Sequence, residues 1–257
     1  MRILVTNDDG IYAEGLGVLT REISELAECV VVAPETEQSA VGHAITLYRP
    51  IMIREVRKKG EFLGYAVRGT PADCVKIGVK ELVGKPIDMV VSGINVGANV
   101  GINVLYSGTV SAATEASILN IPAVAVSLDT RDSSADFGPA ARFVKKLIPL
   151  VMNSPFLKRI TLNVNVPALR EEDFKGVAVT RQGAARLVEE FDRRFDPRGN
   201  AYYWLAGETL LPETEGLESD ACALRRGFIT ITPIKFDLTR HSAVKGVRAA
   251  LGDLVKG

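Results

Sequence analysis

Short apolar runs alternate with amphipathic segments over residues 1–150 of the chain. The runs are rich in β-branched residues, and CVVVA at 29–33 is apolar throughout, as expected of a parallel strand covered on both faces. Between the runs, apolar residues recur at helical spacing, as at Leu16, Leu19 and Ile23. This alternation predicts an α/β fold with a Rossmann-like, doubly wound, mostly parallel sheet and helices on both faces.

The individual elements follow from the same pattern. Thr70 and Pro71 favour a helix start, because Thr is a good N-cap and Pro suits the first helical position. The stretches 51–56 and 62–67 flank a turn and indicate a hairpin inserted into the alternation. The remaining strands are predicted at 3–6, 29–33, 87–91 and 123–128, and the helices at about 70–82, 109–119 and 135–152.

The pattern changes after residue 160. Strands are predicted at 160–166, 177–181 and 228–234, and a closing helix at 244–255. Between them, 184–220 is polar and rich in turn residues around Tyr202, Tyr203 and Trp204, which are typical interface anchors. This stretch is either a β-rich projecting hairpin arm for self-association or a local minicore folded against the main domain. We expect one α/β domain with a catalytic core at 1–183, an oligomerisation arm at 184–220 and a closing strand and helix at 221–257.

Composition narrows the classes of function. The 31 basic residues balance 31 acidic ones, which argues against a nucleic-acid partner. Only two histidines and three separated cysteines are present, which excludes a three-histidine zinc site and a disulfide framework. Because no apolar stretch approaches the eighteen or so residues that cross a bilayer, we expect a cytoplasmic protein without a membrane partner.

Polar residues gather where the predicted strands end. Ligands bind open α/β sheets at the carboxyl ends of the strands. The first strand is followed by Asp8 and Asp9, the second by a polar loop containing Ser39, and the strand at 87–91 by a glycine-spaced segment with Asn95 and Asn99. Two adjacent carboxylates repel each other unless a cation lies between them, so this edge is the candidate site.

A helix start provides the next candidate group, since Ser107, Gly108 and Thr109 precede the helix at 109–119. Free N–H groups and the helix dipole make such a terminus suitable for a phosphate. Each feature also has a purely structural alternative. Asp8 and Asp9 could form a turn that caps the next helix, and the glycine-spaced segment, which lacks the GxGxxG spacing, could be a flexible loop.

The donor atoms indicate the class of metal. Carboxylate, amide and hydroxyl oxygens are hard ligands that suit Mg²⁺ or Mn²⁺, whereas zinc prefers the His and Cys side chains that are scarce here. A hard dication beside helix-terminal N–H groups could hold and polarise a phosphoryl group. The P-loop, GxSxG and HExxH motifs are absent, which disfavours P-loop nucleotide triphosphatases, serine hydrolases and zincins.

Six segments spread over nearly the whole chain carry these and further motifs: ILVTNDDG (3–10), APETEQSAVGHAIT (33–46), GTPADCV (69–75), VSGINVGANVG (91–101), YSGTVSAATEA (106–116) and TPIKFDLT (232–239). Taken together and in this order, they resemble the SurE family of metal-dependent nucleotidases.

The resemblance implies one divalent metal, Mg²⁺ or Mn²⁺, bound by Asp8, Asp9, Ser39 and Asn95. It also implies a phosphomonoesterase that hydrolyses nucleoside monophosphates as a 5'-nucleotidase, with 3'-nucleotidase activity as an extension. Family members form homodimers or homotetramers in which a carboxyl-terminal hairpin is exchanged, which would account for the arm at 184–220.

A mechanism follows as a hypothesis from these implied roles. Asn99 and the segment Ser107, Gly108 and Thr109 hold the phosphate oxygens that the metal does not take. A water molecule activated by the metal attacks phosphorus in line, with Asp8 or Asp9 positioning it or accepting its proton. A covalent phosphoryl intermediate on Asp8 is the competing route.

Several interpretations remain open from the sequence. His43 could act as leaving-group acid or, as we favour, have a hydrogen-bonding role for its loop. Asp73 and Cys74 could line a nucleoside pocket, although a capped helix with a buried thiol is the preferred interpretation. The alternative functions are a non-catalytic nucleotide-binding regulatory module and, more weakly, a nicotinamide-dependent oxidoreductase.

Overall fold

The structure, a computed structural model, describes residues 1–210 and 216–254, and its elements follow the predicted alternation. The strands are β1 (Arg2–Thr6), β2 (Glu28–Pro34), β3 (Met52–Lys58), β4 (Glu61–Arg68), β5 (Met89–Val96), β6 (Ala123–Asp129), β7 (Thr161–Pro167), β8 (Val177–Val179), β9 (Arg186–Phe195), β10 (Ala201–Leu210) and β11 (Ile229–Ile234). The α-helices are α1 (Glu14–Ser24), α2 (Pro71–Ile77), α3 (Gly108–Ile118), α4 (Gly138–Asn153), α5 (Asp220–Arg225) and α6 (His241–Leu251).

Nine strands form one mostly parallel sheet in the order β3-β4-β2-β1-β5-β6-β7-β11-β8. The strands from β4 to β7 run parallel to one another, whereas β3 is antiparallel to β4 and β11 is antiparallel to β7. The chain winds outward from β1 to β2 in one direction and from β5 to β6 in the other. The strand order therefore reverses between β1 and β5, which is where open α/β sheets bind their ligands.

Helices cover both faces of this sheet, as predicted. Ile3 and Val5 of β1 pack in one apolar core with residues of α1 and α4, whereas Leu4 packs in a second core with residues of α2 and α3. Successive side chains of a strand point to opposite faces, so a strand buried on both sides needs a continuous apolar run. This requirement explains the ILV and VVV runs of β1 and β2.

Some predicted boundaries are wrong. The strand predicted at 87–91 runs from Met89 to Val96, so that Asn95 lies within β5 and not in the loop after it. β5 bends where its pairing with β6 shifts register between Ser92 and Asn95. Gly93 allows the bend, because a Cβ at this position would lie 2.2 Å from the carbonyl oxygen of Val126.

The closing helix also differs from its prediction at 244–255. It begins earlier, at His241, and ends at Leu251, and residue 255 lies outside the described residues. Within the described residues, no helix is long and apolar enough to cross a membrane.

Strands β9 and β10 form a separate two-stranded antiparallel hairpin within the stretch predicted to be an arm. The Asp196 side chain closes its turn by accepting hydrogen bonds from the main-chain N–H groups of Arg198 and Asn200, each at 2.8 Å. Tyr203 and Trp204 are 57% and 60% exposed. These rings are therefore not the buried centre of a local minicore, and the hairpin presents them to solvent.

Candidate active site

The end of β1 turns sharply and presents two aspartates at the point where the strand order reverses. The buried Asn7 side chain closes this turn, donating from Nδ2 to the Gly10 carbonyl at 3.0 Å and accepting from the Gly10 N–H at 3.2 Å. Helix α1 begins only at Glu14, and its N-cap residue, Ala13, offers no side-chain cap. Asp8 and Asp9 therefore do not cap α1, and the purely structural alternative for this pair is not what the structure shows.

Asp8 is buried against the first turn of α3. Its Oδ1 accepts a hydrogen bond from the Thr109 hydroxyl. Burial raises the pKa of Asp8 above its ordinary value, and this effect outweighs the Thr109 hydroxyl and the main-chain N–H groups of Thr109 and Gly108, which lower it. Gly108 makes the close approach possible, because a Cβ there would lie 2.8 Å from the Cβ of Asp8.

Asp9 lies beside Asp8 and is also drawn toward its protonated form. Burial, and next the negative charge of Asp8, raise the pKa of Asp9 to about 7, although the Val96 N–H lies 3.4 Å from its Oδ2. None of the ion pairs among residues 1–210 and 216–254 involves either aspartate. A cation between them would supply the missing positive charge and keep both ionised.

One cavity of about 420 Å³ brings most of the predicted site residues together. The side chain of Asn95 donates from Nδ2 to the main-chain carbonyls of Val96 and Gly97, at 3.2 and 2.7 Å, which leaves its Oδ1 as the atom for a cation. The Ser39 hydroxyl donates to the Glu37 carboxylate. The predicted residues that line the cavity are Asp8, Ser39, Asn95, Asn99 and Ser107.

These donors fit a hard metal. Among the described residues, no group of three or more His, Cys, Asp or Glu side chains is placed to hold a metal ion. Asp8, Ser39 and Asn95 line the cavity, whereas the neighbouring Asp9 is not among the described residues that line it. A cation at the two aspartates would draw on both carboxylates together with the amide oxygen of Asn95 and the hydroxyl of Ser39. Such an all-oxygen set suits Mg²⁺ or Mn²⁺ with some of its water retained.

The start of α3 contributes one residue to the cavity and two residues that contact Asp8. Ser107 is the N-cap of α3, and its Oγ accepts from the Val110 N–H at 3.1 Å. Thr109 is fully buried and its hydroxyl is engaged by Asp8, so Thr109 and Gly108 lie behind Asp8 and are not among the described residues that line the cavity. Their immediate contact is with the Asp8 carboxylate.

His43 and Asp73 take the structural roles that the sequence favoured. The His43 Nε2 lies 2.8 Å from the carboxylate of Glu115, a buried residue of α3, and this contact anchors the His43 loop. The Asp73 side chain completes a capping box with Thr70 at the start of α2. Cys74 is fully buried next to it, as expected of a capped helix with a buried thiol.

Three polar residues behind the cavity were not identified from the sequence. Asn163 and Asn165 of β7 and Ser127 of β6 are fully buried, and all three form hydrogen bonds with Asn99. The detectable signal was the alternation in LNVNVP (162–167), where two asparagines interrupt a strand that is otherwise apolar. Polar residues at such positions need hydrogen-bond partners, which marks them as candidates for a specific role.

Comparison with known proteins identifies relatives that match nearly the whole chain. The family model described as "Survival protein SurE" matches residues 3–189. The chain is 61% identical over 251 residues to a "5'-nucleotidase SurE" of Syntrophus aciditrophicus (strain SB), covering 98% of this chain and 94% of that protein. It is 52% identical over 244 residues to the protein of the same name from Syntrophobacter fumaroxidans (strain DSM 10017 / MPOB), covering 95% and 97%.

The fold has a close counterpart among solved structures. The crystal structure of the SurE protein from Aquifex aeolicus superposes with a TM-score of 0.83 at 36% identity, covering 97% of this chain and 99% of that chain. The likeness therefore extends from β1 through the carboxyl-terminal region and is not limited to the parallel sheet.

Proposed function

The chain belongs to the SurE family, and from this premise we propose that it is a metal-dependent 5'-nucleotidase. It hydrolyses nucleoside monophosphates to a nucleoside and inorganic phosphate, using Mg²⁺ or Mn²⁺ at Asp8, Asp9, Ser39 and Asn95. Activity toward 3'-nucleotides is an extension of the same proposal. A non-catalytic nucleotide-binding module is not favoured, because relatives that cover nearly the whole chain are named as nucleotidases.

The observation that carries the proposal is the adjacent pair Asp8 and Asp9, of which Asp8 lines the cavity. Burial raises the pKa of both carboxyls, and described side chains provide no ion-pair partner for either of them. The same cavity presents the side chains of Asn99 and Ser107, which can donate hydrogen bonds to phosphate oxygens. Carboxylates that need a cation, beside donors that suit an anion, form a site for a metal and a phosphate together.

Each residue then has a chemical task. The bound metal supplies a Lewis acid that offsets the charge of the phosphate and lowers the pKa of water. Asp9, the less buried of the two carboxylates, accepts the proton of the attacking water, while Thr109 orients Asp8 through its hydroxyl. Asn99 and Ser107 hold phosphate oxygens, so that phosphorus faces the water in line.

Phosphate release tests the proposal directly. Purified protein should release phosphate from 5'-AMP in the presence of Mn²⁺ or Mg²⁺ and lose this activity in EDTA. A parallel reaction with 3'-AMP measures the extension to 3'-nucleotides. Nucleotide binding without phosphate release under every divalent metal would instead establish the regulatory-module alternative.

Isotope transfer separates direct attack from a covalent route in which water attacks the carboxyl carbon of an aspartyl phosphate. Direct attack by water places oxygen-18 from labelled solvent in the phosphate during the first turnover. A phosphoryl intermediate on Asp8 that is hydrolysed by attack on the carboxyl carbon would leave the first phosphate unlabelled and label the aspartate. We propose direct attack, because the Asp8 oxygen Oδ1 is already engaged by Thr109.

We also propose that the chain self-associates as a homodimer or homotetramer through the hairpin of β9 and β10. Cross-strand pairing places Phe191 opposite Leu205, and both are more than half exposed. A hairpin with such rings and side chains exposed is typical of an interface. Leu205 also lines the cavity, so assembly of the hairpin could affect the site.

A further inference from the structure

A row of polar side chains crosses the sheet behind the candidate site. Strand pairing aligns Asn95 of β5 with Ser127 of β6, Ser127 with Asn165 of β7, and Asn165 with Thr230 of β11. Ser127, Asn165 and Thr230 are fully buried. Burying a polar group is unfavourable unless it is hydrogen-bonded. The Thr230 hydroxyl has no hydrogen-bond partner in the described chain, so the partners of Asn165 and Ser127 indicate what the row does.

Asn165 finds its partners in the main chain of Asn99. The Asn99 N–H donates to Asn165 Oδ1 at 2.8 Å, and Asn165 Nδ2 donates back to the Asn99 carbonyl at 3.2 Å. This pair of bonds fixes which end of the Asn165 amide is the oxygen. Asn163 Nδ2 donates to the same carbonyl at 2.8 Å. The main chain at Asn99 is therefore held at both its N–H and its carbonyl by side chains of β7.

Ser127 acts on the side chain of Asn99. Asn99 Nδ2 donates to Ser127 Oγ at 2.8 Å. An amide nitrogen carries two hydrogens, so one is committed to Ser127 and the second is left for the cavity that Asn99 lines. A donor fixed in direction before the ligand arrives binds a phosphate without having to reorganise.

We propose that Ser127 and Asn165 are positioning residues, which hold Asn99 so that its side-chain N–H donates to a phosphate oxygen of the substrate. The inference rests on the proposed function for the identity of the substrate. Neither residue is among the described residues that line the cavity, so both act through Asn99. Substitution of Ser127 or Asn165 therefore weakens phosphate binding only through the lost orientation of the Asn99 side chain.

A double-mutant cycle on phosphate affinity tests this dependence. Binding of inorganic phosphate to the Mn²⁺-loaded protein is measured by calorimetry for the wild type, Asn99→Ala, Ser127→Ala and the double variant. Asn99→Ala should weaken phosphate binding about ten- to a hundredfold, the value of a hydrogen bond to a charged group. Ser127→Ala should weaken it roughly three- to tenfold, and the double variant should bind no more weakly than Asn99→Ala alone.

Thr161→Val is the matched control for Ser127→Ala. It removes another buried hydroxyl from the sheet, on β7, but one without a hydrogen-bond partner in the described chain, so phosphate affinity should stay at the wild-type value. Asn165→Leu, which removes both bonds to Asn99, should show the same non-additivity with Asn99→Ala. Ser127→Ala deletes a single oxygen and keeps the test decisive should Asn165→Leu fail to fold.

Several outcomes would overturn the inference. The first is a Ser127→Ala variant that binds phosphate as tightly as the wild type. The second is a double variant whose loss of affinity equals the product of the two single losses. The third is a wild type that binds no phosphate, or an Asn99→Ala variant that binds it as tightly as the wild type. The proposed function is tested independently of this inference, because phosphate affinity is measured without any hydrolysis of AMP. A wild type that binds phosphate with the expected cycle but never hydrolyses AMP would refute the nucleotidase and leave the positioning role standing.

Discussion

Asp8 is a buried carboxylate whose only described side-chain partner is the neutral hydroxyl of Thr109. Asp8→Asn keeps an oxygen for that hydroxyl but removes the negative charge that a metal would bind. We expect kcat for AMP to fall roughly a hundredfold or more, since several kcal/mol of charge stabilisation depend on the metal. Phosphate release at saturating Mn²⁺ measures the loss.

Thermal unfolding provides a second measurement of the same variant. Metal at a hundredfold excess over its Kd should stabilise the wild type by about 2.7 kcal/mol and raise its Tm, whereas Asp8→Asn should respond much less. Asp132→Asn, a change at an exposed aspartate, should behave as the wild type in both measurements. An Asp8→Asn protein with unchanged Tm response and turnover would remove Asp8 from the proposed metal site.

The buried carboxylate of Glu115 in α3 contacts both the loop that carries His43 and helix α2, through Lys76. Its side chain is 3% exposed and lies 2.8 Å from His43 Nε2 and 2.6 Å from Lys76 Nζ. Burial raises the pKa of Glu115, but the hydrogen bonds to His43 and Lys76 outweigh it and hold the pKa below its ordinary value. We expect Glu115→Gln to lower the free energy of unfolding by about 1–3 kcal/mol at pH 7.

The sign of the pH dependence follows from the lowered pKa. The stabilisation by Glu115 is present above the unfolded-state pKa of about 4.3 and is lost as the pH falls through the lower folded-state value. Urea unfolding should therefore show the gap between wild type and Glu115→Gln shrinking below about pH 4. Glu25→Gln, which alters a surface ion pair with Lys145, should cost less than about 1 kcal/mol. A gap that is independent of pH would contradict this role of the Glu115 charge.

Asp8, Asp9 and Asn95 could be predicted from the sequence as candidate site residues, because open α/β sheets bind ligands where their parallel strands end. Strand ends of a parallel sheet converge at one edge, so polar residues placed there become candidates without knowledge of the structure. The role of Asn165 could not be predicted in this way. It depends on which strand lies beside β6 and on the path of the loop at Asn99, and both are set by tertiary pairing.

At the scale of elements, the start of α2 holds the long loop that carries Ser39. The Thr70 hydroxyl caps the helix by accepting from the Asp73 N–H at 3.1 Å and donates to the Ala44 carbonyl at 2.7 Å. The Asp73 carboxylate in turn accepts from the N–H and hydroxyl of Thr46, at 2.9 and 2.6 Å. One capping box therefore stabilises the helix and fixes the loop together.

We expect Thr70→Ala to destabilise helix α2 and also to loosen the loop that carries Ser39. It should lower the free energy of unfolding by about 1–2 kcal/mol, the usual cost of removing a Thr cap. Amide hydrogen exchange should also accelerate at residues 39–46 beyond the global change, because the loop loses its anchor. Thr20→Ala removes a helical hydroxyl that bonds only within α1, to the Leu16 carbonyl, and should leave that loop unchanged. Uniform exchange across the chain would argue against a shared anchor.

The elements differ in how well their sequences specify them. Thr70 and Pro71 predicted the start of α2 correctly, because a helix cap depends only on residues within one helical turn of each other. The end of β5 was misplaced because Ser92 and Gly93 resemble a turn locally. In the structure, pairing resumes beyond them, with Asn95 opposite Ser127 and Val96 opposite Leu128. Pairing with β6 thus overrides the local preference.

At the scale of the whole molecule, the site depends on strands that are distant in sequence. The turn after β1 supplies the aspartates, β5 supplies Asn95, and side chains of β6 and β7 form hydrogen bonds with Asn99. The βα alternation predicted the sheet and its helices, because each βαβ unit is specified nearly locally. The strand order beyond β6, with β11 antiparallel to β7, could not be predicted, since no local pattern encodes it.

The hairpin of β9 and β10 has one face that is largely apolar. Residues paired across the strands share a face, which places Phe191, Phe195, Tyr203 and Leu205 together, with Arg193 over the rings of Phe195 and Tyr203. The four side chains are 54–65% exposed. An isolated two-stranded hairpin is marginally stable in water, so burial of this face against a second copy would stabilise it.

We therefore expect Phe191→Asp to weaken self-association, because it places a charge on the apolar face. The weight-average mass from light scattering at several protein concentrations should fall toward the 27.7 kDa of one chain. Tyr48→Asp alters a fully exposed aromatic residue in the loop after β2 and should leave the mass at the wild-type value. If Phe191→Asp kept the wild-type mass at every concentration, the apolar face would not be the interface. Reduced turnover in Phe191→Asp would in addition connect assembly to catalysis through Leu205, which pairs with Phe191 and lines the cavity.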